Sequence, residues 1–259
     1  MEAQFSESQV FKSSHAEISS WTQNLALRHF NLPVVPVCQT DDISCGLCCL
    51  RMVMLYHGKD VTLEQLEEII PPNREIGLYD SQVGLAAIKL GFTVTIFSYN
   101  YRIFHPLWNH LDREELIQKL QLKKRIDDSP HLAFPVESYI EFLKGGGNLL
   151  FYPLSKEMVL AHFDHELPLI VALDMSFLYD CVDFQDEITN SRPTHFVVLH
   201  GYDLGRNTFD VTDPWYNIPF PHDNGHYLLD ADRIINAIMI AQDKHDSAVI
   251  VIQKKAESR

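Results

Sequence analysis

The stretch Gln39-Thr40-Asp41-Asp42-Ile43-Ser44-Cys45-Gly46 places a cysteine at the predicted start of a helix and a glutamine six residues before it. The residues that follow, CGLCCLRMVMLYH (45–57), are apolar on most sides and lead to Gly58, so they predict a buried helix that ends at this glycine. A helix N-terminus favours a thiolate, because its free N–H groups carry partial positive charge. The amide of Gln39 can donate to an oxyanion on an attacked carbonyl. The stretch therefore indicates a cysteine nucleophile, which requires a histidine and an orienting residue elsewhere.

Two later residues fit those roles. His195 opens the apolar run HFVVLHGYD, and Asp213 ends the run NTFDVTD. If these runs pair as a hairpin across residues 203–207, both side chains lie at its open end. His195 then serves as the base toward Cys45, and Asp213 orients its ring. His200 alternates to the opposite face of the strand and is assigned a structural role.

Trp215, two residues after Asp213, has three possible places. It forms a wall of the substrate cleft, or it shields the hydrogen bond between His195 and Asp213 from water, or it belongs to the core. We assign Trp215 and Gly46 to substrate binding.

Hydrophobic periodicity predicts helices mainly in the first half of the chain and strands mainly in the second. This order predicts an α+β fold with an antiparallel sheet. Thr62 and Gln65 have the spacing of a capping box, and either Asp80 or Ser81 is the predicted cap of a later helix. The predicted helices cover 14–30, 45–57, 63–70, 80–90, 112–123, 135–144, 155–164 and 228–241, and the predicted strands cover 92–99, 167–173, 194–203, 207–213 and 247–253.

Several motifs resemble the double-glycine leader peptidase family of bacteriocin exporters and its stand-alone relatives, which include a group labelled guanylyl cyclase domain-containing proteins. The resemblance covers roughly residues 33–253, with a poor match over 98–165. It implies a papain-like cysteine peptidase fold, in which a helical N-terminal half with a buried nucleophile helix packs on a C-terminal antiparallel β-sheet. The motifs are Gln39-x5-Cys45-Gly46, Cys48-Cys49-Leu50-x-Met52, His195-Phe-Val-Val-Leu-x-Gly201-Tyr202 and Asp213-Pro214.

The resemblance implies Cys45, His195 and Asp213 as a catalytic triad, with Gln39 as the oxyanion donor. One position departs from the pattern, because Ser44 stands where the exporter peptidases usually have Asp. The guanylyl cyclase label has no support in the sequence, which lacks a glycine-rich phosphate loop.

The composition limits the classes of partner that we expect for this chain. A formal net charge of -14 argues against nucleic acid or an anionic membrane as the main partner, and it weakly favours basic or neutral substrates. The N-terminus does not resemble a signal peptide, and no apolar run reaches the ~18 residues of a membrane span. We therefore expect a cytoplasmic location.

The cysteines point to reduced thiols. Four of the five lie within residues 38–49, too close together for a secreted disulfide framework. The pair Cys45-x-x-Cys48 has zinc-like spacing, but no second ligand pair accompanies it. We expect no metal and no other cofactor.

The predicted organisation is a partly helical extension (1–30) followed by a single catalytic domain (31–255), with a variable insert at about 98–165. The acidic, partly aromatic stretch 174–193 leads directly to His195, so we predict that it borders the cleft. Its residues Asp183 and Asp186 would favour basic or extended peptides.

The expected reaction is thiol-dependent hydrolysis of a peptide or isopeptide bond in a protein or peptide substrate. Two alternatives remain open from the sequence. The same thiolate serves acyltransferases, transglutaminases and deamidases of the papain-like fold, and a non-catalytic binding module retains the fold without the reaction.

Overall fold

The computed structural model describes residues 29–74, 77–181, 188, 193–244 and 246–255. Most of the predicted N-terminal helix (14–30) lies outside these residues. Its last two positions, His29 and Phe30, belong instead to a strand, because they pair with Asp203 and Tyr202 across an antiparallel ladder.

The described residues form one sheet with helices on both faces. The strands are β1 (His29–Asn31), β2 (Phe92–Ser98), β3 (Asn148–Leu150), β4 (Leu169–Asp174), β5 (Thr194–Asp203), β6 (Thr208–Thr212), β7 (His226–Asp230) and β8 (Ala248–Lys254). The α-helices are α1 (Cys45–Tyr56), α2 (Leu63–Ile69), α3 (Asp80–Lys89), α4 (Arg113–Ile126), α5 (Pro130–Lys144), α6 (Lys156–Phe163), α7 (Met175–Tyr179) and α8 (Ala231–Ile240), and short 3-10 helices cover Pro106–His110 and Ala241–Lys244.

The strand order is β3-β2-β8-β4-β5-β6-β7, and β1 pairs with β5 beyond the end of β4. Neighbouring strands are antiparallel, except that β3 runs parallel to β2. Helices combined with a mostly antiparallel sheet confirm the predicted α+β class. The last strand in sequence, β8, lies inside the sheet between β2 and β4.

Alternate residues of the central strands enter two separate cores. Ala172, Phe196 and Ala248 pack with helices α1 to α5, while Val171 and Val197 pack on the opposite face with α6, α7 and α8. Strands buried on both faces need apolar residues at successive positions, which explains the continuous apolar runs in β4, β5 and β8. The prediction of helices from the N-terminal half on a C-terminal sheet is correct for the first face. The second face is covered by helices of the C-terminal half.

Helix α1 is buried along most of its length, as predicted, and packs closely on strand β5. The thiol of Cys49 donates a hydrogen bond to the carbonyl of Phe196, with sulfur and oxygen 3.2 Å apart. Gly46 allows this approach, because an added Cβ would lie 3.1 Å from Val83 and 3.4 Å from Phe196. After the helix, Gly58 has a φ of +78°, the left-handed conformation predicted for a terminating glycine.

Two boundaries differ from the sequence predictions. Residues 226–230 form strand β7, whose pairing with β6 overrides the helical pattern of 228–241, so α8 starts only at Ala231 with the side chain of Asp230 as its cap. Helix α3 is capped by Tyr79, with Gln82 accepting from its backbone, and not by Asp80 or Ser81. The capping box of Thr62 and Gln65 is confirmed.

The segment 98–165 is integrated into the domain. Strand β3 extends the sheet beside β2, and α5 packs on α3. Inside this contact, the hydroxyl of Tyr139 donates to the buried carboxylate of Asp80 at 2.7 Å and accepts from the amide of Asn100 at 2.6 Å.

At Gly201 of β5, the backbone of strand β1 lies close by, with Asn31 opposite. A Cβ at Gly201 would overlap the carbonyl oxygen of Phe30, a backbone atom that cannot move aside cheaply. We expect Gly201→Ala to lower the free energy of unfolding by about 1–3 kcal/mol in urea denaturation. Gly205→Ala is the matched control and should have little effect, because its Cβ would meet only the side chain of Asp203, at 3.2 Å. Equal midpoints for both variants would contradict the described pairing.

Candidate active site

Strands β5 and β6 bring His195 and Asp213 together. The strands form an antiparallel hairpin in which Val198 pairs with Thr212, so His195 near the start of β5 faces the residue that follows β6. The Nε2 atom of His195 lies 2.8 Å from Oδ1 of Asp213, and both side chains are buried. This is the hairpin geometry that the sequence predicted.

The carboxylate of Asp213 accepts four hydrogen bonds. Its Oδ1 accepts from His195 and from the backbone N–H of Trp215 at 2.9 Å, and its Oδ2 accepts from the hydroxyls of Tyr179 at 2.9 Å and Tyr227 at 2.7 Å. Burial alone raises the pKa of Asp213, but the charge of His195 and these donors outweigh burial and hold the pKa below its usual value. Asp213 therefore remains ionised at neutral pH.

Tyr179 and Tyr227 are not among the site residues predicted from the sequence. Tyr227 lies in strand β7, which was not predicted because the neighbouring residues had been assigned to a helix. Recognition of a third strand after Asp213 would have placed this hydroxyl beside the carboxylate. Tyr179 ends the short helix α7, and the sequence carries no pattern that connects it with Asp213.

His195 is held in its protonated form. Burial lowers the pKa of His195, but the charge and hydrogen bond of Asp213, together with a hydrogen bond and charge from Cys45, raise it to about 10. The imidazolium thus lies between the carboxylate of Asp213 and the sulfur of Cys45. This order of thiol, imidazole and carboxylate is that of an activated nucleophile.

Cys45 is the first residue of helix α1 and is partly buried. The loop before it is organised by Asp41, whose Oδ1 accepts from the backbone N–H groups of Ile43 at 2.9 Å and Ser44 at 2.8 Å. Burial raises the pKa of Asp41, but these bonds and one from the Ser44 side chain lower it below its usual value overall. The residue directly before Cys45 is Ser44, and the carboxylate at this helix N-terminus comes from Asp41, three residues before Ser44.

Gln39 is buried next to the loop that carries Asp213. Its backbone N–H donates to the carbonyl of Pro214 at 2.8 Å, which joins the segment before Cys45 to the residue after Asp213. The side-chain amide donates one N–H to the carbonyl of Asp41 at 2.6 Å. A primary amide has a second N–H, which this hydrogen bond does not use.

The remaining predicted binding residues differ in their placement. The ring of Trp215 is half-buried and meets that of His195 edge-on, with centroids 6.1 Å apart and planes at 77°. Gly46 is buried at a position where an added Cβ would meet Val83 and Phe196, so the absence of a side chain allows close packing there. Asp183, like Asp186, lies outside the described residues.

His200 lies apart from this arrangement. It is buried, its Nδ1 lies 3.0 Å from the carbonyl oxygen of Leu32, and its ring is 5.3 Å from that of His226. Burial, with a smaller contribution from His226, lowers the pKa of His200 to about 4, so it is neutral at physiological pH.

The other cysteines have different environments. Cys48 and Cys49 are buried, and burial raises the pKa of Cys48 to about 12 and that of Cys49 well above its usual value. Cys38 and Cys181 are exposed. Across the part of the chain that the structure describes, no group of three or more His, Cys, Asp or Glu side chains is arranged to hold a metal ion. In that same part, no helix has the length and apolarity needed to cross a membrane.

The buried ion pair predicts a pH-dependent contribution to stability. The pKa of His195 rises on folding from 6.5 to about 10, so its stabilisation is complete below pH 6.5 and is lost as the pH rises through about 10. We expect Asp213→Asn to lower the free energy of unfolding by roughly 3–5 kcal/mol near pH 6 and by much less above pH 10.

Urea denaturation across this pH range tests the effect. Asp128→Asn, at an exposed position, removes the same charge and serves as the control, with little change expected at either pH. A destabilisation by Asp213→Asn that is independent of pH would contradict an ion pair between Asp213 and His195.

The chain is similar to known proteins both in structure and, over part of its length, in sequence. Solved structures that align with it include three that are each at low identity. One is the peptidase domain of Streptococcus ComA, a bi-functional ABC transporter involved in quorum sensing, with 15% sequence identity and a TM-score of 0.43 over 85% of this chain and 98% of that one. Another is a double glycine motif protease from an AMS/PCAT transporter in complex with the leader peptide, with 15% sequence identity and a TM-score of 0.44 over 87% of this chain and 94% of that one. The third is xylellain, a cysteine protease from Xylella fastidiosa, with 12% sequence identity and a TM-score of 0.46 over 88% of this chain and 87% of that one.

No sequence among the curated proteins matches the chain. Residues 34–112 match the model of the Peptidase C39 family, and this segment includes Gln39 and Cys45. The match confirms, over these residues, the resemblance predicted from the sequence.

Proposed function

We propose that this chain hydrolyses peptide or isopeptide bonds with Cys45 as the nucleophile, His195 as the acid and base, Asp213 as the orienting residue and Gln39 as an oxyanion donor. The observation that carries the proposal is the hydrogen-bonded series from the thiol of Cys45, at the start of helix α1, to the buried pair of His195 and Asp213.

In the first step, the Cys45 thiolate forms a bond to the carbonyl carbon, and the π electrons move to the carbonyl oxygen. The N-terminus of α1 favours the thiolate, and the imidazolium of His195 balances its charge. The second N–H of the Gln39 amide and the backbone N–H of Cys45 stabilise the oxyanion. Collapse of the intermediate breaks the C–N bond, and His195 gives its proton to the leaving amine.

In the second step, neutral His195 takes a proton from water, and the oxygen attacks the thioester carbonyl. The C–S bond breaks and Cys45 leaves as a thiolate beside the restored imidazolium. Asp213 remains ionised throughout, since four donors hold its carboxylate. Its role is to fix the ring orientation and to stabilise the positive charge.

The first test is selective alkylation of the native chain by iodoacetamide near pH 6, followed by peptide mapping. Cys45 should react first, because its thiol lies beside the imidazolium of His195 at the start of helix α1, the arrangement of an activated nucleophile. Cys38 and Cys181 are exposed internal controls, and the buried thiols of Cys48 and Cys49 should stay unmodified. His195→Ala should slow modification of Cys45 by at least about tenfold. Reaction of Cys45 no faster than that of Cys38 and Cys181 would refute an activated nucleophile.

The second test separates the oxyanion donor from the nucleophile. A peptide library is incubated with the native chain and with Cys45→Ala, and mass spectrometry identifies peptides cleaved only by the native chain. On such a peptide, Gln39→Ala should lower kcat by about 10²–10³, the loss typical of one oxyanion donor. Alkylation of Cys45 should remain unchanged. Thr40→Ala, at the exposed neighbouring position, should retain full activity, and an equal loss in both variants would argue against this role for Gln39.

A further inference from the structure

A cavity of about 550 Å³ opens between helix α4, the first residues of α5 and the segment that follows strand β2. Its size lies in the range of ligand-binding pockets in proteins. Its lining includes cationic and apolar side chains, namely Arg102, Trp108, Lys119, Leu122, Lys123 and Ile126, and also the carboxylate of Asp127. We refer to it as the α4 cavity.

Helix α4 presents two different faces. Leu116, Ile117 and Leu120 are buried in the core. Lys119 and Lys123 are four residues apart, as are Leu122 and Ile126, so each pair lies on one side of the helix; together the two pairs form a stripe that lines the cavity. Leu122 is 50% exposed and Ile126 is 79% exposed. Exposed apolar side chains that alternate with cations are typical of a surface that binds another molecule.

The charge of this surface opposes that of the whole chain. The protein carries a formal net charge of -14, whereas the cavity brings Arg102, Lys119 and Lys123 together around the single acid Asp127 among its lining residues. Opposite charge concentrates a ligand at a local patch while the rest of the surface repels it. The α4 cavity therefore suits an anionic ligand that also carries apolar groups.

The cavity and the candidate active site lie at the same end of the sheet. Ser98 of β2, Ala248 of β8, Ala172 of β4 and Phe196 of β5 form one row across the strands. His195 is the residue next to Phe196, and β2 leads out at the same end toward the cavity. Three strand spacings separate the two ends of this row, a distance of about 14 Å. An extended peptide covers that distance with about four or five residues.

Two aromatic side chains pack together on the elements next to the loop of Cys45 and the cavity. Tyr79 at the start of α3 and Phe134 in the first turns of α5 have ring centroids 5.8 Å apart, and Phe134 is 47% exposed. The chain just before Tyr79 also approaches the loop of Cys45, since a Cβ at Gly77 would lie 2.9 Å from the carbonyl oxygen of Ile43. A peptide that leaves Cys45 along this side passes an apolar surface before it reaches the cavity.

We propose that the α4 cavity binds an acidic and apolar segment of the peptide substrate, at least about four or five residues from the bond that Cys45 attacks. Carboxylates of the segment pair with Lys119 and Lys123, and its apolar side chains pack on Trp108, Leu122 and Ile126. The inference rests on the proposed peptidase function and adds a substrate class to it. It differs from the preference for basic peptides that the acidic stretch 174–193 suggested.

Binding is measured by fluorescence anisotropy with the full chain carrying Cys45→Ala, so that no cleavage occurs. The probe is a fluorescein-labelled 12-residue peptide of alternating Glu and Leu pairs, compared with the same peptide in which Gln replaces Glu. We expect tighter binding of the Glu peptide, weakened by added salt, and a loss of at least about tenfold in Lys119→Glu/Lys123→Glu.

The matched control is Arg125→Glu/Arg206→Glu, which changes the net charge by the same amount. Arg125 is exposed in the last turn of the same helix but does not line the cavity, and Arg206 lies in the turn after β5 with its side chain 70% exposed. This control should retain the affinity of the parent chain for the Glu peptide. Equal losses in the two double variants would overturn the assignment, because they would show a general effect of net charge.

Two further outcomes overturn the proposal. One is equal binding of the Glu and Gln peptides, and the other is displacement of the Glu peptide by a 12-nucleotide single-stranded DNA at lower concentration than by unlabelled peptide, which would indicate a nucleic-acid site. The anisotropy measurement needs no turnover. A failure of Cys45 to react with iodoacetamide therefore counts against the peptidase function alone, and unchanged anisotropy in the lysine variant counts against the α4 cavity alone.

Discussion

The buried carboxylate of Asp213 is the group on which the rest of the site depends. It receives donors from four separate places: His195 in β5, the backbone after β6, Tyr179 at the end of α7 and Tyr227 in β7. An ionised carboxylate in the protein interior is stable only when its oxygens are fully hydrogen-bonded and its charge is balanced. The two tyrosines donate to Oδ2, the oxygen that His195 does not contact. The imidazolium of His195 balances the charge of the carboxylate, and its hydrogen bond to Oδ1 fixes the position of the ring.

A second set of contacts brings Cys45 to that pair. The thiol of Cys49 donates a hydrogen bond to the carbonyl of Phe196, and the absence of a side chain at Gly46 lets helix α1 approach β5. The backbone of Gln39 binds that of Pro214. Each contact joins the segment around Cys45 to the strands that carry His195 and Asp213. The relative position of thiol and imidazole is therefore set by packing of the backbone and small side chains, with little dependence on long flexible side chains.

Local patterns predicted much of this arrangement. The apolar helix after Cys45 and the two runs that form the β5–β6 hairpin have strong periodicity, so the placement of His195 and Asp213 at the open end followed from the sequence. Strand β7 was not predicted, because HYLLD is short and joins directly to the helical pattern of α8; only pairing with β6 decides its conformation. Because β7 was not predicted, the hydrogen bond from Tyr227 to the carboxylate of Asp213 could not be predicted either. The cavity beside α4 depends in the same way on how α4, α5 and residues 102–108 pack, which periodicity does not specify.

The central place of β8 affects when the two parts of the sheet join during synthesis of the chain. This strand comes last in the sequence, yet it separates β2 from β4 and pairs with both. A chain still emerging from the ribosome already holds Cys45, His195 and Asp213, but its sheet is divided into two parts until residues 248–254 arrive. Sheets built from such distant segments form slowly, because loop-closure entropy is lost before the pairing is gained. The fold thus couples assembly of the sheet around Cys45, His195 and Asp213 to the arrival of β8, so that a chain without residues 248–254 presents a thiol without the framework that aligns it.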